Sequence, residues 1–550
     1  MKTWVLCIIY LFIGLPFLSA QNIVTPNAID NPIHRQYSGK IVFLSQPSDS
    51  QQIAASDFID SFELKEGQPL AARFFLANSL TNYLHQLDQT LSVEQLIQNG
   101  NYQFSFYVDN KLIYTENLTT GAGTVQSKNQ WTQFRIPLIS ITNEDSWGRF
   151  LWGRFYYGNG GSDALFGGKH LLKIEVRPYL KTVNGIKTGT VIASGELNFS
   201  TPVIQLTAKQ IALQVIQPGS NWPLSKEPLN RKKIEELNKR IAEKRFKNIT
   251  SIAVIKNGKL LLEEYFNEAN RNTLHDTRSV GKSFASTLTG IAIQDRYIKS
   301  ENQSLKDFYE LKKYDHYDVQ KDSVTLKNLL TMSSVFDGFD FDSDSPGNEE
   351  NMYPTANWVQ FTLNLPVDRN KRNGEQWNYF TAGVVLIGDI LHQNVPGGLE
   401  TYADQKLFHP LGIRNYKWQY TPQKVANTAG GLQLNTLDLA RYGQLYQNKG
   451  KWNGKQLIPQ SWVTKSFTNY FPENEHNKGY GYLFWRELFT VNGKNYEAYA
   501  CSGNGGNKIY IFQELPLVIV ITATAYNQSY AHSQVEKIVT EYLLPALLNP

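Results

Sequence analysis

From Tyr37 to Ser200, apolar and polar residues alternate in short runs such as Phe104-Ser105-Phe106-Tyr107-Val108, Leu172-Lys173-Ile174-Glu175-Val176 and Glu196-Leu197-Asn198-Phe199. Turn clusters separate them, among them Asp109-Asn110 and Gly158-Asn159-Gly160-Gly161-Ser162. Period-two alternation puts one set of side chains on a core face and the other in solvent. With turns at short spacing, it predicts an all-β sandwich over residues 21 to 205. Trp147, Trp152, Tyr156 and Tyr157, with Arg149 and Arg154 among them, read as the core face of a strand or as an aromatic binding platform.

The pattern changes after Thr201. Pro202, Pro218-Gly219 and Pro223 interrupt regular structure and predict a linker over residues 206 to 230. Beyond it, Ile234, Leu237 and Ile241 fall on one helical face, and Glu235 with Lys239 and Glu236 with Arg240 are favourable pairs one turn apart. Ile249 to Ile255 and Lys259 to Phe266 read as strands joined at Asn257-Gly258, a hairpin turn. At the far end, Lys508 to Phe512 and Leu517 to Thr524 are two more strands around Glu514-Leu515-Pro516, followed by helical text to Leu548. Residues 231 to 550 therefore predict an α+β domain whose antiparallel sheet is built from both ends, with a helical insertion between.

Composition adds bounds. A chain of 550 residues with 41% hydrophobic and 19% charged positions holds more than one core and is neither disordered nor a coiled coil. Its net charge of +5, spread over 54 basic and 49 acidic residues, argues against nucleic acid as the main partner. Residues 1 to 20 carry Lys2, an apolar run from Trp4 to Leu18, and small residues Ser19 and Ala20, the pattern of a cleavable signal peptide. Export to the periplasm or medium is the expected localisation, with no transmembrane segment in the mature chain. Cys7 lies in the leader, so the mature protein keeps Cys501 alone and no intramolecular disulfide.

The chemistry concentrates at Ser279-Val280-Gly281-Lys282. The following text is apolar on nearly every side, which predicts a buried helix with Ser279 at its first turn and Lys282 one turn on. Such a serine pairs with an amine able to take its proton if burial lowers the amine's pKa. The competing reading is a capping serine beside a surface lysine. Asp340-Phe341-Asp342-Ser343-Asp344 has the odd spacing of a calcium loop, but Ser345 and Asn351 stand where that loop needs glycine and glutamate. It reads as a solvated loop near the site's mouth. Asp315-His316-Tyr317-Asp318 lacks paired-histidine spacing for a metal, and no Gly-x-Ser-x-Gly elbow occurs. No metal or other cofactor is called for.

Further matches follow in order. Thr325-Leu326-Lys327-Asn328-Leu329-Leu330-Thr331-Met332-Ser333-Ser334, then Trp377-Asn378-Tyr379-Phe380-Thr381-Ala382-Gly383, then Ala429-Gly430-Gly431-Leu432, and Ser502-Gly503-Asn504-Gly505-Gly506-Asn507 accompany the serine and lysine. Together they resemble the serine β-lactamase and penicillin-binding-protein family, most closely its class C branch, which includes esterases, D-amino-acid peptidases and nylon-oligomer hydrolases. The resemblance covers residues 231 to 550. It implies Ser279 as acylated nucleophile, Lys282 and Tyr379 as the groups sharing its proton, and the backbone N–H groups of Ser279 and Asn507 as oxyanion donors. Thr381, Asn504, Gly505 and Gly506 then line the substrate. Where β-lactamases of the family carry Tyr-x-Asn this chain has Tyr379-Phe380-Thr381, and Asn504-Gly505-Gly506 aligns with their Lys-Thr-Gly. Val335 replaces the glycine after the serine pair.

These readings predict an exported serine hydrolase cleaving a small-molecule ester, amide or peptide through an acyl-enzyme. A D-amino-acid peptidase or β-lactam-binding protein is the alternative within the enzyme class, and a catalytically silent binding module on the same fold the alternative outside it.

Overall fold

The computed structural model describes residues 29–45, 54–140, 147–474, 476 and 478–549. The leader expected at residues 1–20 lies outside them. The chain divides into two compact units, residues 1–205 and 206–550.

In the first unit, nine strands form one sheet: β1 (Lys40–Leu44), β2 (Ser61–Glu63), β3 (Leu70–Phe75), β4 (Gly100–Val108), β5 (Lys111–Asn117), β6 (Gln133–Ile139), β7 (Gly168–Thr182), β8 (Gly185–Thr188) and β9 (Ala193–Thr201). The main order is β5-β4-β7-β9-β1-β3-β6, with β2 on β9 and β8 on β7. Four steps of about 4.8 Å separate β4 from β3 in a flat sheet, or roughly 19 Å. Yet the rings of Phe74 on β3 and Phe104 on β4 lie 5.8 Å apart, and Tyr102 on β4 lies 5.4 Å from Phe134 on β6. The sheet is therefore rolled over onto itself around Phe43, Phe74, Phe104, Phe106, Leu172 and Phe199.

Two features depart from an all-β unit. Short helices intervene at Leu80–Leu87 and Val93–Asn99, capped by Ser79 and Ser92. Trp147–Gly153 is also helical, and Trp147, Leu151 and Phe155 pack inward at four-residue spacing, the repeat of a helix face rather than of a strand. Trp152 is buried among them while Tyr157 is exposed.

The second unit is built on a six-stranded antiparallel sheet of order β11-β10-β20-β19-β18-β17. Its first strands are β10 (Ile249–Lys256) and β11 (Lys259–Tyr265). Asn257 and Gly258 join them with φ of +51° and +71°, the pair of left-handed residues that matches strand twist in a two-residue hairpin. Small pairings follow at β12 (His275–Asp276), β13 (Tyr416–Trp418), β14 (Leu432–Leu434), β15 (Lys451–Trp452) and β16 (Lys455–Gln456). The sheet resumes with β17 (Trp485–Val491), β18 (Lys494–Gly503), β19 (Asn507–Phe512) and β20 (Leu517–Ala523). Strand β20 is buried on both faces, because helices cover each side. Ile252 and Val254 of β10 face a core shared with the helix Arg231–Ala242 and the C-terminal helices, while Ala253 and Ile255 face the core of the helical insertion.

Residues 206–230, expected as a linker, pack into this unit. Gln214 donates its backbone N–H to Glu264 Oε1 at 2.8 Å, and Trp222 sits in the insertion-side core. Proline had removed the periodic signal without removing the apolar contacts.

Candidate active site

The helix Val280–Gln294 is buried from Val280 to Ala292, as its all-round apolar text requires, and Ser279 caps its start. The first N–H groups of the helix are satisfied locally: Val280, Gly281 and Lys282 donate to the carbonyls of Thr277, Arg278 and Ser279. Lys282 is 2% exposed, and its Nζ donates to Ser279 Oγ at 2.8 Å and to the Ala429 carbonyl at 2.6 Å. Burial lowers the Lys282 pKa, against the opposing pull of Glu349 and Asp340. A lysine in this state is closer to giving up its proton than a surface one.

Tyr379 precedes the helix Thr381–Asn394 and is buried, with its ring centroid 5.3 Å from Lys282 Nζ. Burial pushes its phenol far above the usual tyrosine range, and the hydrogen bond with Ser279 pulls the other way. A desolvated amine three positions on and a desolvated phenol a hundred positions on thus meet a serine at a helix start. The family model described as Beta-lactamase matches residues 238–536, more than half of the chain, and spans all three.

The chain belongs to the serine β-lactamase family. It is accordingly a serine hydrolase by family. Solved structures that resemble it include the octameric penicillin-binding protein homologue from Pyrococcus abyssi, 19% identical over 58% of this chain and 77% of that one, with a TM-score of 0.45. A class C β-lactamase is 19% identical over 57% of this chain and 96% of its own, at a TM-score of 0.43. EstCE1, a hydrolase with promiscuous acyltransferase activity, is 12% identical over 56% and 98%, at 0.46. Among curated proteins no match is found.

In this family member the strand beside Ser279 is β18, and its last residue, Gly503, meets the Ser279 backbone. A β-carbon on Gly503 would lie 2.0 Å from the Thr277 carbonyl oxygen and 3.2 Å from the Ser279 nitrogen. The residues expected to line the substrate differ in exposure. Asn504 is exposed at the turn and exchanges hydrogen bonds with Asn527, through Nδ2 to Asn527 Oδ1 and through Oδ1 from the Asn527 N–H at 2.9 Å. Gly505 and Gly506 are buried with φ of +88° and +92°, packed against Tyr526 and Ala531. Asn507 opens β19 opposite Gly503, and its buried side-chain amide donates to the carbonyls of Asp276, Asn504 and Ala523. Thr381 is 2% exposed, with its Oγ1 unpartnered and its N–H donated to Asp340 Oδ2 at 2.8 Å.

Several residues at the site carried no usable sequence signal. Cys501, two positions before Gly503, is fully buried, and burial pushes its thiol up to about 12. No ionised group stands at that strand position. Phe341 stacks on Tyr379 with centroids 5.3 Å apart and planes 2° apart while remaining 51% exposed, and Trp485 lies 5.5 Å from the same ring. In the acidic run 340 to 344, Asp340 is half-buried and accepts from the Thr381 and Glu349 N–H groups, while residues 341 to 344 are exposed and Asp342 accepts from the Asp344 N–H within the turn. Among the described residues no cluster of His, Cys, Asp or Glu could hold a metal.

Proposed function

We propose that the chain is an exported serine hydrolase that cleaves esters or amides of small, uncharged acyl groups through an acyl-enzyme on Ser279. The observation that carries this reading is the Lys282 amine 2.8 Å from Ser279 Oγ on a buried helix start, with the buried Tyr379 ring centred 5.3 Å from the same amine. In the proposed reaction Ser279 Oγ attacks the substrate carbonyl carbon while its proton passes to the Lys282–Tyr379 pair. The leaving alkoxide or amine takes that proton back as its bond to the acyl carbon breaks. Water then attacks the ester, gives its proton to the pair, and Ser279 recovers a proton as it leaves.

The oxyanion needs two donors set in advance. The Ser279 N–H, left over when the next three are satisfied locally, is one. We place the second at the Asn504 N–H rather than at Asn507, because Gly503 is the residue seated against Ser279 and Asn504 follows it out of the strand. Preference for uncharged acyl groups is supported by the aromatic wall of Phe341, Tyr379 and Trp485, since a carboxylate buried there without a partner costs several kcal/mol. The leader-like residues 1–20 support export, and the rolled sheet of residues 29–205 supports an accessory β-sandwich.

The test is a fluorophosphonate probe on the folded full chain with peptide mapping, followed by a neutral aryl ester and its carboxylate-bearing analogue. Labelling of Ser279 with faster turnover of the neutral ester is expected. No adduct, or an adduct elsewhere, sinks the catalytic reading, and equal turnover of the two esters sinks the substrate class.

A further inference from the structure

We propose that Asp340 is a positioning residue for the Tyr379 phenol, holding the turn Tyr379-Phe380-Thr381 by both of its ends. The inference rests on Tyr379 being the proton-transfer partner of Ser279. The Asp340 backbone N–H donates to the Tyr379 carbonyl at 2.8 Å, and Asp340 Oδ2 accepts the Thr381 N–H at 2.8 Å. One residue therefore brackets the tyrosine on its C-terminal side twice, once through its backbone and once through its carboxylate. Its second oxygen, Oδ1, accepts the Glu349 N–H at 3.0 Å, and its carbonyl accepts from Asn348 Nδ2 at 3.1 Å. The next residue, Phe341, lays its ring parallel to that of Tyr379. Gly338 lets this loop approach so closely, since a β-carbon there would stand 2.2 Å from the Phe380 ring. Backbone and ring of Tyr379 are thus both held by the segment the sequence had presented as a solvated acidic loop.

The bracket needs the ionised carboxylate. A carboxylate offers only acceptors, which match the two N–H groups, whereas the protonated acid turns an O–H toward one of them. The groups facing Asp340 are Glu349 and, through it, Tyr353, whose hydroxyl donates to Glu349 Oε2 at 2.7 Å; Lys282 on the nucleophile helix; and Tyr379 itself. Burial first, and then the Glu349 charge, raise the Asp340 carboxyl to about 6, with the Thr381 N–H and Lys282 opposing. Activity should therefore fall on the acid side as pH drops through this value.

The experiment measures kcat and KM against pH for a neutral aryl ester with the full chain, Asp340→Asn and Glu349→Gln, together with thermal midpoints and fluorophosphonate labelling. Asp340→Asn keeps the N–H to Tyr379 but presents a donor to one of the two N–H groups. It should lower kcat by about 100-fold, the scale of a misplaced catalytic group, with KM little changed, and abolish the acid limb near pH 6. Glu349→Gln removes the neighbouring negative charge and should move that limb to lower pH. Wild-type kcat in Asp340→Asn overturns the proposal, as does a loss equal at every pH with the limb in place. If Asp340→Asn does not fold, an unmoved limb in Glu349→Gln overturns it instead. Failure of Ser279 to take the probe in the natural protein is a separate result, and it strikes the hydrolase reading instead.

Discussion

Gly503 lies so close to Ser279 that the end of β18 and the start of the nucleophile helix admit no side chain between them. The contact is 3.2 Å from a would-be Gly503 β-carbon to the Ser279 nitrogen. Backbone thus forms one wall of the site, which is how a strand can bring an N–H to a reacting carbonyl without a side chain intervening.

Gly503→Ala should therefore be damaging twice over. Its methyl group meets the Thr277 carbonyl oxygen at 2.0 Å, and backbone there has no rotamer to move. Overpacking of this kind costs on the order of 1–3 kcal/mol, and displacing the strand end should cut kcat by about 100-fold. Denaturant unfolding and steady-state kinetics check the two losses separately; an alanine variant of full activity would mean the strand is not part of the site.

Lys282→Ala and Tyr379→Phe should each lower kcat by roughly 10²–10⁴-fold, the range of a lost proton-transfer group. The double variant should be little worse than either, because both touch the same serine hydroxyl. Multiplying losses in a double-mutant cycle would show two independent tasks.

A fragment beginning at residue 206 should fold and hydrolyse a neutral ester, whereas one beginning at residue 231 should be markedly less stable. The shorter fragment loses Trp222 from the core and the Gln214 N–H from the fully buried Glu264. That carboxylate retains only Asn238 Nδ2 at 3.0 Å. Circular dichroism melts of the two fragments decide it.

Stability should fall as pH rises from about 4.5 to about 7 because of Glu264. Burial raises its carboxyl from 4.5 to about 7, so the native state holds this proton more tightly than the unfolded chain. Its contribution is fully present below pH 4.5 and lost as pH rises through 7. Glu264→Gln should match the natural protein below pH 4.5 and exceed it by up to roughly 3 kcal/mol at pH 8. His275 acts with the opposite sign: burial lowers it from 6.5 to about 4, and stability is lost as pH falls through that window. Urea midpoints against pH for the natural protein and for Glu264→Gln check the first slope, and the acid end of the natural curve checks the second.

How much of this was legible depended on whether the information was local. The Asn257-Gly258 hairpin, the helix from Arg231 and strands β10, β11, β19 and β20 of the second sheet were read from side-chain period and turn chemistry, which act between neighbours in sequence. The helix at Trp147 was misread because aromatic residues suit both a strand face and a helix face. Its four-residue spacing decides between them only when a core is present to bury Leu151 and Phe155. Residues 206–230 looked like a linker because proline breaks periodicity, although what makes a linker is the lack of packing partners.

By itself the sequence determined the pairing of Ser279 with Lys282, because the two are one helical turn apart and their meeting follows from the helix. It also placed Tyr379 by the order of motifs around it. Only the tertiary structure decided which residue of β18 touches the serine, since a strand's register against a distant helix is set by the whole sheet and by where a missing β-carbon permits approach. The same holds for Asp340. An acidic residue in a loop rich in aspartates reads as solvated until the fold buries it behind Tyr379, and there its charge is held by two backbone N–H groups from segments 9 and 41 residues away.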